Sequence, residues 1–240
     1  MATKKPVARK PAQTKGPRSK GARSMSGAAL VGMLVFFAAL WLLWDTPFVA
    51  PLKLFVVFLH EISHGIMAMA TGGRIDRIVI EANEGGACYC GGGSAFLTLS
   101  AGYLGSLAWG LAFLWLARFE SRARWTMAVV GVATGAVTLL FMRSAFGFAF
   151  GLGFAAILVL VARKLPAIWN ARILFALGLT SALYAILDIK SDIIDRPGLE
   201  SDAHMLADLT GVPTVVWGVL WIGLAGGVVS LVIRRAFARN

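Results

Sequence analysis

The sequence predicts an all-α polytopic membrane protein: about six to seven transmembrane helices, with a short β-hairpin region after the second apolar segment. Three observations carry this. The 240 residues are 58% hydrophobic and 15% charged, with a mean hydropathy of +0.75, whereas soluble domains are roughly 45–50% apolar and about 25% charged. The apolar residues fall in long runs, and about 18 of them in succession suffice to cross the ~30 Å hydrocarbon core as a helix. The runs also lack the period-2 alternation of a barrel strand, and lipid offers the backbone no hydrogen bonds of its own.

In chain order the apolar segments are Ala28–Trp44, Pro51–Ala70, Leu97–Ala117, Thr126–Met142, Ala145–Ala162, Ile173–Leu187 and Val215–Ile233. The first starts well after a charged tail and ends in "WLLWDTP" instead of a small-residue cleavage motif, so it is expected to stay as an anchor. Pro51 suits a first helical turn, where its missing N–H is no loss. Thr71-Gly72-Gly73 is a helix stop, because Gly takes the left-handed conformation a C-cap needs. Between Gly73 and Leu97 the pattern changes. "RIDRIVI" alternates apolar and polar residues and runs into "EANEGGACYCGGG", which reads as short strands around Gly turns lying against the membrane face. The glycines of the later segments (Gly105, Gly110, Gly131, Gly135, Gly147, Gly151, Gly153) read as packing positions that let helices approach.

Residues 1–24 read as a disordered basic tail, and residues 25–240 as the membrane-embedded domain. The tail holds eight Lys or Arg, three Pro and no acid, with almost nothing to bury. Without it the net charge of +11 falls to +3. Such a tail fits attraction to anionic lipid. Nothing aromatic is interleaved for base stacking, which argues against nucleic acid as a partner. Basic residues mark cytoplasmic loops, so six crossings would place both basic termini inside and seven would separate them. Cys88 and Cys90, with one residue between them, read as poorly placed for a mutual disulfide and as inert side chains on the hairpin.

One segment breaks the apolar pattern with chemistry: "VVFLHEISHGIMAMATGG". Ionisable groups are costly in a bilayer and are functional hypotheses by default. His60 and His64 stand at i, i+4, on one helix face a turn apart. Both imidazoles then reach one ion, and Glu61 stands beside it as general base in the H-E-x-x-H arrangement. Catalytic zinc takes three protein ligands and an open position. Residue chemistry leaves the third ligand among His204 and the acids of the interval Asp188–Gly211, chiefly Asp188, Asp192, Asp195 and Asp202. Ser201 is a candidate N-cap for a short helix carrying Asp202.

His60-Glu61-Ile62-Ser63-His64-Gly65, followed by Gly72-Gly73 and a β-like stretch, resembles the site-2 protease family of intramembrane zinc metallopeptidases. "AGYLGS" (Ala101–Ser106) and "SDAHMLADLTGVPTVVWGVLW" (Ser201–Trp221) resemble a branch of small predicted members. The resemblance covers roughly Phe48 to Trp221. It implies a Zn2+ site within the membrane, a Glu base and an Asp third ligand on a later helix. Better-known members carry that ligand in an Asp-Gly motif, which this sequence lacks; Asp202 in Ser-Asp-Ala is the best stand-in, ahead of Asp192 and Asp188.

The resulting expectation is a multi-pass metalloprotease in the plasma membrane of a bacterium. It would cleave transmembrane or membrane-proximal peptides, with Glu61 catalytic and His60, His64 and Asp202 on zinc. Membrane lipids and a membrane-protein or peptide substrate are the expected partners. The alternative is a non-catalytic metal-binding or partner-binding membrane protein on the same scaffold.

Overall fold

The computed structural model describes residues 27–43, 46–190 and 200–237. The tail assigned to residues 1–24 lies outside the described residues, as do Asp192, Asp195 and the helix break at Pro197-Gly198. The elements are α1 (Gly27–Leu42), α2 (Ala50–Ala70), β1 (Arg74–Ile80), β2 (Gly86–Gly91), α3 (Ala95–Ala117), α4 (Glu120–Phe141), α5 (Ala145–Lys164), α6 (Ala167–Lys190), α7 (Asp202–Thr210) and α8 (Thr214–Phe237). Helices α2 to α6 are each long and apolar enough to cross a membrane. The chain is an all-α multi-pass membrane protein with a small two-stranded antiparallel sheet.

Helix α2 is the axis of the fold. Of its most apolar stretch 78% is buried inside the protein, against 22% for α4 and 28% for α5. Lipid-facing surface therefore belongs mainly to the outer helices, and the polar residues of α2 face protein. Phe55, Val56 and Phe58 of α2 pack with Ile78 and Ile80 of β1, Phe113 of α3, Met127 of α4, Leu158 of α5 and Leu174 of α6. Pro51 lies in the first turn, as its chemistry requires. At the other end Gly72 takes φ +90°, and the Gly73 N–H donates to the Ala68 carbonyl at 2.8 Å, closing the helix. The Thr71 hydroxyl donates to the Met67 carbonyl at 2.8 Å and accepts from the Ser94 N–H at 3.0 Å. The end of α2 is thereby fastened to the start of α3.

Helices α4 and α6 begin earlier than hydropathy places them, at Glu120 and Ala167 instead of Thr126 and Ile173. Their first turns are polar, and those polar groups pair with neighbouring carbonyls. Arg124 donates to Ala162 and Arg163 at the end of α5. The Asn170 amide donates to Val161, Leu165 and Pro166. Carbonyls left over at a helix end are satisfied this way, which a hydropathy window does not register.

The hairpin forms as the alternation of "RIDRIVI" requires. β1 and β2 pair from Arg74↔Gly91 to Ile80↔Gly86, with a bulge between Ile75 and Arg77. Ile75, Ile78 and Ile80 point into the core. Beyond β2 the chain reaches Ala95 and is helical again, slightly before the expected Leu97. The turn places Glu84 at φ 68°, where its carboxylate meets Lys53 of α2 at 2.7 Å. The outer edge of β1 is covered by the α4–α5 connection. Arg143 donates its N–H to the Ile78 carbonyl at 2.9 Å, and Ser144 bonds both the N–H and the carbonyl of Ile80. β2 has no second strand partner among the described residues.

One expectation is corrected here. Cys88 and Cys90 are joined in a disulfide, with their Cα atoms 5.7 Å apart. In an extended strand residues i and i+2 share a face, and this separation lies within the usual disulfide range. Sequence proximity was the wrong criterion, because strand geometry points both side chains the same way.

Candidate metal centre

The functional residues come from three helices and the hairpin. His60 and His64 leave α2 one turn apart, with ring centroids 4.8 Å from each other. Asp202 is the first residue of α7. Ser201 caps that helix, its hydroxyl accepting the His204 N–H at 3.3 Å. Gly211 ends it at φ 72°. The cap fixes the first turn of α7, and Ser201, Asp202 and Ala203 are all buried against the body of the protein.

Asp202 Oδ2 lies 2.9 Å from His60 Nε2 and 3.2 Å from His64 Nε2. The three ligand atoms all lie within 4.8 Å of one another. Two ligands bound tetrahedrally at ~2.0–2.1 Å from zinc stand about 3.3 Å apart, so the spacing suits one ion. The far side of each ring also faces an acceptor. His64 Nδ1 is 2.7 Å from the Thr98 carbonyl, and His60 Nδ1 is 3.9 Å from Asp188 Oδ2. Histidines that hold metals characteristically donate the other ring N–H to a carbonyl or carboxylate.

Close approach of α3 makes the site compact. A Cβ at Gly102 would collide with His60 Nε2 and stand 2.6 Å from Asp202 Oδ2. Tyr103 sets its ring at right angles to His60, with centroids 5.1 Å apart, and packs on Trp221 of α8. Beneath them Ile189, Ala203 and Leu206 form a separate apolar cluster. Asp202 lies on α7, outside the five spanning helices. Burial alone would push its carboxyl up, but the neighbouring His64 and the hydrogen bonds with both imidazoles outweigh burial and hold it below the usual carboxylate range. It is the acid in reach of both histidines.

Glu61 points toward the hairpin side of α2 and is 6% exposed. Its carboxylate accepts the backbone N–H of Cys88. A Cβ at Gly86 would stand 2.5 Å from Glu61 Oε1, so β2 lies directly over this side chain.

Of the sequence candidates, the structure brings together His60, His64 and Asp202, with Glu61 alongside. His204 is set apart. Its side chain is 44% exposed on α7 and stands 3.8 Å from Asp208 one turn on. Sequence reasoning missed Gly86, Gly102 and Thr98. The sole signal for Gly102 was its place within Ala101–Ser106; nothing in the sequence marked Gly86 or the Thr98 carbonyl.

The chain matches the Peptidase M50B-like family over residues 33–232, a span that includes the whole cluster. No curated protein and no solved structure matches it. On that match, the chain belongs to the Peptidase M50B-like family, a family of membrane metallopeptidases.

Proposed function

We propose that the protein is an intramembrane zinc metalloprotease, with His60, His64 and Asp202 as the metal ligands and Glu61 as the general base. The observation that carries this reading is the polarity of the two rings. Both Nε2 atoms converge on the Asp202 carboxylate, while both Nδ1 atoms face acceptors. Zinc bound there would supply a Lewis acid that polarises an attacking water and the scissile carbonyl. Glu61 is the residue that would accept a proton from an attacking water and return it to the leaving amine. Its hydrogen bond from Cys88 and the contact with Gly86 hold the carboxylate in place for both transfers.

The substrate class is a transmembrane or membrane-proximal peptide. A helical substrate hides its peptide bonds and must be extended before it is cut. β2 runs beside Glu61 and, among the described residues, has β1 as its one strand neighbour. Strand addition to such a strand holds an extended peptide by its backbone. The setting proposed is the plasma membrane of a bacterium.

The test is Glu61→Gln in the purified full chain. Zinc content should stay near one per chain while cleavage of membrane-embedded peptides is abolished. If the variant cleaves as well as wild type, Glu61 is not the base; if wild type binds zinc and cleaves nothing, the non-catalytic metal-binding reading takes its place.

A further inference from the structure

We infer that Asp188 is a positioning residue for His60: from the last turn of α6 its carboxylate holds the ring through Nδ1, so that Nε2 is presented to the metal site. This rests on the metal reading above and extends it to a residue outside the ligand set.

The two histidines have different supports. His64 is held by the Thr98 carbonyl of α3 at 2.7 Å, a backbone group whose position no side-chain substitution removes. His60 has no backbone acceptor of this kind among its described contacts. The group facing its Nδ1 is the Asp188 carboxylate at 3.9 Å, within ion-pair range, with both side chains largely buried at 12% and 17% exposed. An imidazole ring turns between two broad, roughly opposite orientations. Exchanging them would carry Nε2 away from Asp202. An acceptor fixed on the Nδ1 side selects one orientation and one tautomer. Tyr103 closes a further side of the same ring.

Asp188 is also anomalous in its own helix. It is the single acidic residue of α6 between Ala167 and Lys190. A carboxylate in an apolar helix needs a partner to offset its burial. Its atoms are not among those that converge between His60, His64 and Asp202. It therefore sits behind the ligand and not beside it, where a carboxylate raises the basicity of the imidazole and orients it.

The experiment compares zinc affinity of the purified full chain, by competition with a chromophoric chelator, for wild type, Asp188→Ala and Asp188→Asn. Melting of the metal-free proteins is recorded in parallel. Asp188→Ala should weaken zinc binding about 10–100-fold, the range found for second partners of metal-bound histidines. Asp188→Asn retains an oxygen facing the Nδ1 side of the ring and should recover most of the loss. Metal-free melting should be the same in all three, because a positioning role acts on the ring and not on the fold. The inference is overturned if wild type binds zinc tightly and Asp188→Ala binds it within about twofold of wild type. It is overturned equally if both variants lose zinc together with a drop in metal-free melting, which marks a structural role. Should wild type itself take up no zinc, the metal reading fails and this inference with it.

Discussion

A single methyl group at Gly102 is enough to test the site. There is no room for it between His60 and Asp202. Gly102→Ala is expected to keep its helical circular dichroism and lose its zinc. Gly153→Ala, whose added Cβ meets nothing within 4 Å, should keep both. Among the polar residues, His60→Ala, His64→Ala and Asp202→Ala should each strip zinc from the purified protein, while Asp208→Ala, exposed on α7, should retain it. Retention of metal by Asp202→Ala would remove it from the ligand set. At this scale the sequence was unevenly legible. His60, Glu61 and His64 could be read because helical periodicity relates near neighbours by geometry alone. Asp202 is 142 residues from His60, and no local rule connects them, so residue chemistry left several candidates and a family likeness ordered them. Gly102 acts through an approach of two helices, and approach distance is a tertiary quantity.

The hairpin links fold to chemistry. Its turn is held by Lys53; Gly86, the first residue of β2, lies on Glu61; and its β1 edge is filled by the α4–α5 connection. Gly86→Val should push β2 off the Glu61 carboxylate. Zinc content should be unchanged, because no ligand is touched, while peptide cleavage falls at least tenfold; unchanged cleavage would show that β2 does not position the base. The junction of α2 and α3 gives a stability test. Thr71→Val removes a hydroxyl that bonds two backbone groups and should cost about 1–3 kcal/mol, seen as a lower melting temperature. The strands themselves were legible from alternation and Gly turns. Their placement over Glu61, and the cysteine pair that the spacing seemed to forbid, depend on which face of β2 is turned inward.

At the scale of the whole molecule, loop charge chooses an orientation. If α2 to α6 all cross, Arg118, Arg122, Arg124, Arg163, Lys164 and Arg172 share one face of the membrane. The end of α2 and the α4–α5 connection share the other, with Arg143; the hairpin starts there at Arg74 and runs back along α2, its tip reaching Lys53. The first face is then cytoplasmic, and α2 starts there. Helix α1 has 16 described residues and opens at Gly27, where the described residues begin. Both basic termini fall on the cytoplasmic face if the crossings are six, α2 to α6 and α8, and this is the expected topology. The disulfide lies beside the middle and second half of α2, where Cys88 stands near Glu61 and Gly65. In a variant with both native cysteines replaced by serine, a cysteine at Arg74, which is exposed beside the end of α2, should react with an impermeant reagent added outside intact cells, and one at Glu120 should not. The reverse pattern would invert the topology. Hydropathy alone left the count open, because it weighs no loop charge.

The distance in sequence between the ligands has a consequence for stability. Two of them stand on the central helix, and the third stands on a nine-residue helix near the end of the chain. An ion held by all three is a cross-link between the first and last thirds of the polypeptide. Its binding free energy becomes folding free energy by mass action, about 4 kcal/mol when free metal is a thousandfold above Kd. A chelator should therefore do more than silence the site. It should lower the melting temperature, and amide exchange should rise first in α7, whose hold on α2 the ion completes. Reloading with zinc should reverse both, leaving the core of α2, α3 and α6 undisturbed throughout.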